Sequence, residues 1–458
     1  MRESLGVVAD ADGEGALPTP AAREASSRTT AREATINLIC GGLGTGMLSL
    51  PWTMAGASVL PGVVIILAVV IVNIWTIVIL IHAAERHQQF NLGALLRLLP
   101  GRLGPAAQLL TDVAIWATIY LTLVGYVDAI HDSSLLLLPK DSWLTQGRLP
   151  LTGCASLIAL PLCFLDQKYL SFTSILGILA NVNLLMFIFV TFGQRAAADD
   201  LGKGSCLLGF GKGTLTMVSS ATNSIIVQMC ILPMYEALEH RSPERYTKVL
   251  LIAFACLAVL LSVFATVAYL VVGPLVEGNV LKNFPPTTLW ASTTQVGMIV
   301  VIFAVYPIFL MPMVAPLRVL DLSWFSRSCP DEDGDRTSLP LAESRRSMFV
   351  NAVTVVIVAA AFVGAICVPD LGFINALNGS IEVGVFTAMG PGLIGLCLLD
   401  RSSLVWKTSV GTLLAMGVVF FVLGLVFTEN YVKGLACSWH FNAMDHVSAP
   451  VSINGMVI

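Results

Sequence analysis

Eleven stretches of this chain are apolar for long enough to cross a bilayer, and that repetition limits its possible folds more than any other feature. They run over about 33–57, 60–82, 109–130, 150–165, 169–193, 213–238, 246–272, 289–319, 347–368, 373–399 and 404–427. Roughly 20 such residues in a helix cover about 30 Å of hydrocarbon. Lipid offers no hydrogen bonds to the backbone, so only helices and closed barrels span it. Helix-length runs therefore predict an all-α polytopic membrane protein of about eleven transmembrane helices. The fourth is short, and the eighth is long enough to kink at Pro307 or Pro312. Composition agrees: 56% of residues are hydrophobic and 12% charged, about half the charge density of soluble domains. A net charge of −4 without a basic block argues against nucleic acid as a partner.

Residues 1–32 lack the apolar core of a signal peptide and read as a disordered cytosolic tail. A polar linker, 321–346, separates spans 8 and 9, and 428–458 reads as a non-cytosolic tail. With the N-terminus inside, 18 of the 25 Lys and Arg fall on the cytosolic side, as the positive-inside rule requires. Ten cysteines without C-x-x-C spacing argue against a zinc site or a dense disulfide framework. Cys206 and Cys437 share the non-cytosolic side, where both a bridge and two free thiols remain open.

Two spans are interrupted at their middles. In span 1, Gly41-Gly42-Leu43-Gly44-Thr45-Gly46 is followed by Pro51. Each mid-helix Gly costs about 1 kcal/mol against Ala, and Pro about 3. Gly42 and Gly46 also have small-xxx-small spacing, which by itself signals tight packing. Four glycines with Thr45, Ser49 and Pro51 favour an unwound segment instead. In span 6, Ser219, Ser220, Thr222, Asn223, Ser224 and Gln228 crowd ten residues ahead of Cys230 and Pro233. Each of these spans opens a block of five, and the two cross in opposite directions. Interrupted helices at corresponding places point to an inverted-repeat transporter with its site where the breaks meet.

These segments resemble the amino acid/auxin permease family, which includes vacuolar, proton-coupled and sodium-coupled amino acid transporters. Asn37 to Trp52 resembles its glycine-rich first helix ending in Leu-x-Leu-Pro. Gln228 to Glu239 resembles its sixth helix, where a polar residue precedes Leu-Pro-x-Tyr and acidic residues. Val368 to Pro391 resembles its tenth span, and the likeness covers roughly 33–427. It implies a LeuT-type 5+5 fold with broken helices 1 and 6, coupled transport of an amino acid, and a monomer in lipid. Asn223, Ser224 and Ile225 stand where family members often carry aromatics.

The expected substrate contacts are Gly42, Leu43, Gly44, Thr45, Gly46, Asn223, Gln228 and Cys230, with Tyr120 of span 3 closing over them or bonding a carbonyl. Asn181 and Asn183 of span 5 either reach the site or bridge helices. Glu382 of span 10 is the acid deepest in the membrane, as proton carrier or structural carboxyl, and Glu236, with Glu239 and His240, follows the span 6 break as a gate or a solvated helix end. Asp112 and Asp128 read as interfacial. No Ser or Thr occurs from Val300 to Pro316, where this fold's sodium site usually takes hydroxyls. A proton gradient or exchange is therefore expected, without a bound cofactor; sodium coupling and a non-transporting amino acid sensor are the alternatives. Convergent catalytic sets typical of membrane enzymes and a channel's filter motif do not occur. Either the plasma membrane or a vacuolar or lysosomal membrane fits.

Overall fold

A computed structural model describes residues 29–139, 141–164, 171–319, 338–400, 403–426 and 435–441. Of the expected tail 1–32, linker 321–346 and tail 428–458, the remaining parts lie outside the described residues. Residues 338–346 instead belong to the helix of span 9, and 436–440 form a strand.

Span 1 is a helix over Ala31–Gly42, a 3-10 turn over Thr45–Ser49 and a helix over Leu50–Ala57. Spans 2 to 5 are Val59–His87, Leu103–Leu137, Arg148–Leu162 and Ser171–Ala197. Span 6 is split into Gly213–Ile225 and Gln228–Glu236. Spans 7 to 9 are Pro243–Val272, Leu289–Val319 and Ser338–Cys367. Span 10 runs over Leu371–Glu382, a π-helical stretch Val383–Met389 and Gly390–Cys397, and span 11 is Leu404–Val426. Among the described residues nine helices are long and apolar enough to cross a membrane. The other two expected spans fall short of that length: span 1 is broken, and the 15 residues of span 4 rise only about 22 Å. Span 8 runs through Pro307 and Pro312 without interruption, so the expected kink is not a break in the helix.

Local signals set these ends. Thr30 and Glu33 form a reciprocal capping box at the head of span 1. Ser242 caps span 7 just ahead of Pro243, and the Asp370 carboxylate accepts from the amides of Gly372 and Phe373 at the head of span 10. Broken span 6 packs against spans 1, 2 and 10. A Cβ on Gly379 would lie 1.9 Å from the Ser219 carbonyl oxygen, so only glycine lets the backbones of spans 10 and 6 come this close. The outer faces of spans 2 and 11 expose Val64, Ile71, Val418 and Val422, apolar surface that lipid tolerates and water does not.

Two backbone pairings link distant parts of the chain. The strand Cys206–Phe210 (β1) pairs antiparallel with Ala436–His440 (β2), and Thr29 exchanges hydrogen bonds with Ala237 and Glu239. Each pairing requires its two ends to lie on one side of the membrane, hence an even number of crossings between them. Spans 6 to 11 separate the strands and spans 1 to 6 separate Thr29 from Ala237, six helices in each case. The strands are also covalently joined: Cys206 and Cys437 form a disulfide. Below, the two faces are called the Thr29 side and the disulfide side.

Asp128, near the disulfide-side end of span 3, is fully buried and pairs with Arg148 at the head of span 4, whose Nε also donates to the Ala365 carbonyl of span 9. Asp112 is exposed. A disulfide closing a loop of this length stabilises by about 2–4 kcal/mol in typical cases. An unreduced digest of the purified protein is therefore expected to contain the Cys206–Cys437 linked peptide, and Cys437→Ser to lower the thermal midpoint in detergent. An unlinked digest with an unchanged midpoint would contradict the bridge.

Candidate substrate site between two broken helices

Span 1 loses its helix at Leu43 and Gly44. Leu43 leaves the helical region (φ −95°, ψ 58°) and Gly44 is extended (φ −102°, ψ −168°). Span 6 opens at Ile226 and Val227, where Ile226 is extended and Val227 has φ −136°. Pro233 lies inside the second half-helix, and Pro51 falls in the first turn of its own, where a missing N–H is harmless. The break in span 6 is therefore earlier than the proline implies. The two breaks touch: a Cβ on Gly46 would sit 3.0 Å from Ser224 Oγ and 3.1 Å from its Cα. Two half-helices begin here, near Thr45 and Gln228, and two end, at Gly42 and Ile225. Helix N-termini carry partial positive charge and free N–H groups, and C-termini the opposite.

Backbone groups freed by the breaks are met by side chains. Asn181 Nδ2 of span 5 donates to the Leu43 carbonyl at 2.7 Å, whereas Asn183 bridges Thr294 and Trp290 of span 8. Gln228 accepts from the Val227 amide at 3.1 Å with Oε1, and its Nε2 donates to Asn73 Oδ1 of span 2. Its side chain is fully buried and points to span 2, so its polar atoms are committed to holding the break together. Cys230 Sγ lies 3.3 Å from the Val227 carbonyl, which it bonds, and the residue is exposed. Tyr120 donates to the Ala360 carbonyl of span 9 at 3.0 Å, on the side of span 3 away from the breaks. Tyr126, six residues and about 120° further round the helix, faces Thr45 and packs edge-on to Phe309 of span 8. The aromatic that span 3 brings to the break is thus Tyr126, a residue the sequence reading passed over.

Gly42 and Gly44 differ in kind. A Cβ on Gly42 would strike the Leu257 methyls at 2.7 Å, whereas no heavy atom lies within 4 Å of where a Gly44 Cβ would sit. Gly42 is a packing contact with span 7; Gly44 borders open space beside the break.

Span 10 supplies the polar stripe that sequence reading saw only in part. Asn375 Nδ2 donates to Ser49 Oγ at 3.0 Å, tying span 10 to span 1. Asn378 Nδ2 donates to Asn223 Oδ1 at 2.9 Å and to Thr122 Oγ1 at 3.2 Å, reaching spans 6 and 3. Ser380 Oγ lies 3.0 Å from Ser219 Oγ. Glu382 ends the stripe, 2% exposed, with Oε2 unpartnered among the described residues, and the π-helical stretch follows it directly. Such π segments recur at functional positions.

A family model described as "Transmembrane amino acid transporter protein" matches residues 27–432. The chain belongs to this amino acid transporter family. The resemblance read from spans 1, 6 and 10 is thereby borne out. Amino acid transporter AVT6E of Arabidopsis thaliana is 24% identical over 421 residues, covering 86% of this chain and 82% of that protein. Sodium-coupled neutral amino acid symporter 2 of Danio rerio is 20% identical over 437 residues, covering 88% and 81%. A solved Na+-coupled sialic acid symporter aligns over 90% of this chain and 92% of that one, with 11% identity and a TM-score of 0.48.

On the Thr29 side of this transporter, the second half of span 6 ends in a charged cluster. Tyr235 donates to Glu85 Oε2 of span 2 at 2.8 Å, and Arg241 Nε lies 3.2 Å from the same oxygen, its guanidinium 4.3 Å from the Phe90 ring centroid. Glu236 is exposed and takes no part in this cluster, and Glu239 faces His240 at 3.5 Å. The acid of this cluster is Glu85, while Glu236 stands at an exposed helix end, the alternative given for it above.

Replacing Gln228 with Leu strands both the Val227 amide and Asn73 Oδ1. Each buried orphan costs about 1–3 kcal/mol, so Gln228→Leu is expected to lower thermal stability, with Asn73→Leu/Gln228→Leu less than additive. A loss of substrate affinity at unchanged stability would instead place Gln228 in the site.

Proposed function

We propose that this protein carries a zwitterionic amino acid across the membrane by alternating access, driven by or exchanging with protons, with the substrate held in the gap between the breaks of spans 1 and 6. The observation that carries this reading is the meeting of two half-helix N-termini and two C-termini beside the open face of Gly44. The N-termini suit a carboxylate and the C-terminal carbonyls an ammonium group. Thr45 and Asn223 flank the gap, and Tyr126 lies against its span 1 edge. Glu382 is the proposed proton carrier. An ionised acid at a helix centre costs about 2.5–3.5 kcal/mol on insertion scales, which favours its crossing in the neutral form. Support for protons over sodium comes from span 8: no Ser or Thr occurs from Val300 to Pro316, and the nearest hydroxyl, that of Thr294, already accepts from Asn183 Nδ2 at 2.9 Å.

The disulfide side is taken as extracellular or lumenal, since such bonds persist in oxidising compartments, and the Lys and Arg distribution points the same way. The Thr29 side is then cytosolic. The plasma membrane and an acidic vacuolar or lysosomal membrane both meet these conditions, and a monomer contains the whole site.

The test is uptake of a pool of labelled L-amino acids into liposomes under an imposed proton gradient or an imposed sodium gradient. Proton-driven uptake is expected. Gly44→Leu, whose side chain enters open space, is expected to abolish uptake while leaving the thermal midpoint within a few degrees. Uptake that follows sodium alone would replace the proton reading, and amino acid binding without uptake would make the protein a sensor. Glu382→Gln is expected to keep exchange between labelled and unlabelled substrate but to lose accumulation against a gradient. Unchanged accumulation in this variant would reduce Glu382 to a structural carboxyl.

A further inference from the structure

A cavity of about 260 Å3 opens on the disulfide side, and none of Leu43, Gly44, Ile226 and Val227 at the breaks lines it. Its lining includes Trp52 of span 1, Asp132 of span 3, Glu277, Asn279 and Lys282 of the loop between spans 7 and 8, and Asp370 at the head of span 10. The short helix of that loop, Val280–Asn283, packs on the 3-10 turn Thr45–Ser49. Val280 and Leu281 are buried there, an apolar floor between this cavity and the span 1 break.

The lining carries both signs of charge. Lys282 Nζ lies 2.5 Å from Glu277 Oε2. Burial pulls its ammonium group toward neutrality, but Asp132, Glu277 and Asp370 more than offset this and hold it above the ordinary lysine range. Asp132 is 5% exposed, its Oδ1 3.4 Å from His131 Nδ1. Asp370 commits Oδ1 to capping span 10, with the Gly372 amide at 2.8 Å. Asn279 accepts from the Leu281 amide with Oδ1 at 3.1 Å, yet its Nδ2 has no partner among the described residues although the residue is only 1% exposed. A buried amide donor without a partner calls for one. The carboxylates do not converge as metal ligands: no group that could hold a metal ion occurs among the described residues.

We infer that this cavity is an anteroom that binds the zwitterionic amino acid on its way to the gap between the breaks, its carboxylate on Lys282 and the Asn279 amide, its ammonium group on Asp132 and Asp370. The inference rests on the transport reading above. The cavity is smaller than the roughly 300–1,000 Å3 typical of drug-sized ligand pockets, which suits a solute of amino acid size. Movement of the Val280–Asn283 floor would then admit the solute to the break, and binding from the opposite side would bypass the anteroom altogether. Lys282 therefore matters for one direction only.

The test uses proteoliposomes sorted by orientation through an N-terminal affinity tag, with a labelled L-amino acid pool as probe. Lys282→Met is expected to raise the KM for entry from the disulfide side about fivefold, the size expected for one partly exposed charged contact. Maximal rate and the KM from the Thr29 side should stay as in the natural protein. Lys282→Arg should restore the disulfide-side KM, and Asn279→Leu should raise it with the same sidedness. Equal changes from both sides, or none, with transport intact would overturn the anteroom alone. Absence of transport by the natural protein in either orientation would overturn the transport reading and the anteroom with it.

Discussion

Every feature of the centre depends on how the backbone of two broken helices is kept satisfied inside a hydrocarbon slab. An unmet N–H or C=O costs several kcal/mol there, so a break persists only if neighbours supply partners. Two side chains do much of this. Asn181 takes the Leu43 carbonyl from span 5, and Gln228 takes the Val227 amide while its other end is fixed by Asn73 of span 2. The first break is thus braced from outside its own helix, and the second by its own Gln228, held in turn by span 2. What stays unbraced is the open space beside Gly44.

Span 10 is the element through which the two halves communicate. Within eight residues it bonds span 1 through Asn375, spans 3 and 6 through Asn378, and span 6 again through Ser380. The backbone approach at Gly379 leaves no slack between spans 10 and 6. A rearrangement of either broken helix must therefore break or carry these bonds. Glu382 sits at the end of this stripe, where the α-helix gives way to the π-helical stretch. In the proton-coupled reading, its charge state adds about 2.5–3.5 kcal/mol to any state that buries it, roughly two orders of magnitude in the balance between conformations. That is enough for one proton to decide which state predominates.

Much of this was legible in the chain. Apolar run length placed the spans, and the glycines of span 1 placed its break within a residue or two, because both signals are local. The break in span 6 was read too broadly. Pro233 is the sixth residue of its half-helix, where it removes one backbone N–H without ending the helix. The true opening at Ile226 and Val227 has no local breaker; it is set by what Gln228 and Asn73 can reach. Tyr120 and Tyr126 are equally central in sequence, and only the rotation of span 3 tells which one meets Thr45. Asn375 and Asn378 were missed as a pair although their i, i+3 spacing puts them on one face, and polar residues at that spacing in an apolar span are a readable signal.

Asp128 and Glu382 show why position in a span is a poor guide to an acid's role. Both are buried carboxylates in helices that cross the membrane, yet Asp128 has a guanidinium partner from span 4 and Glu382 has no cation among its described contacts. Removing either partner of a buried ion pair strands the other, so the two groups act as a unit. An unpaired acid has no such anchor and is free to exchange its proton whenever water reaches it. Near the head of span 4, Arg148 ties spans 3, 4 and 9 together, which makes that corner of the disulfide side a fixed frame. The buried acid without a cation partner thus lies in the helix that bonds both broken spans, and the paired acid lies at the corner that joins spans 3, 4 and 9.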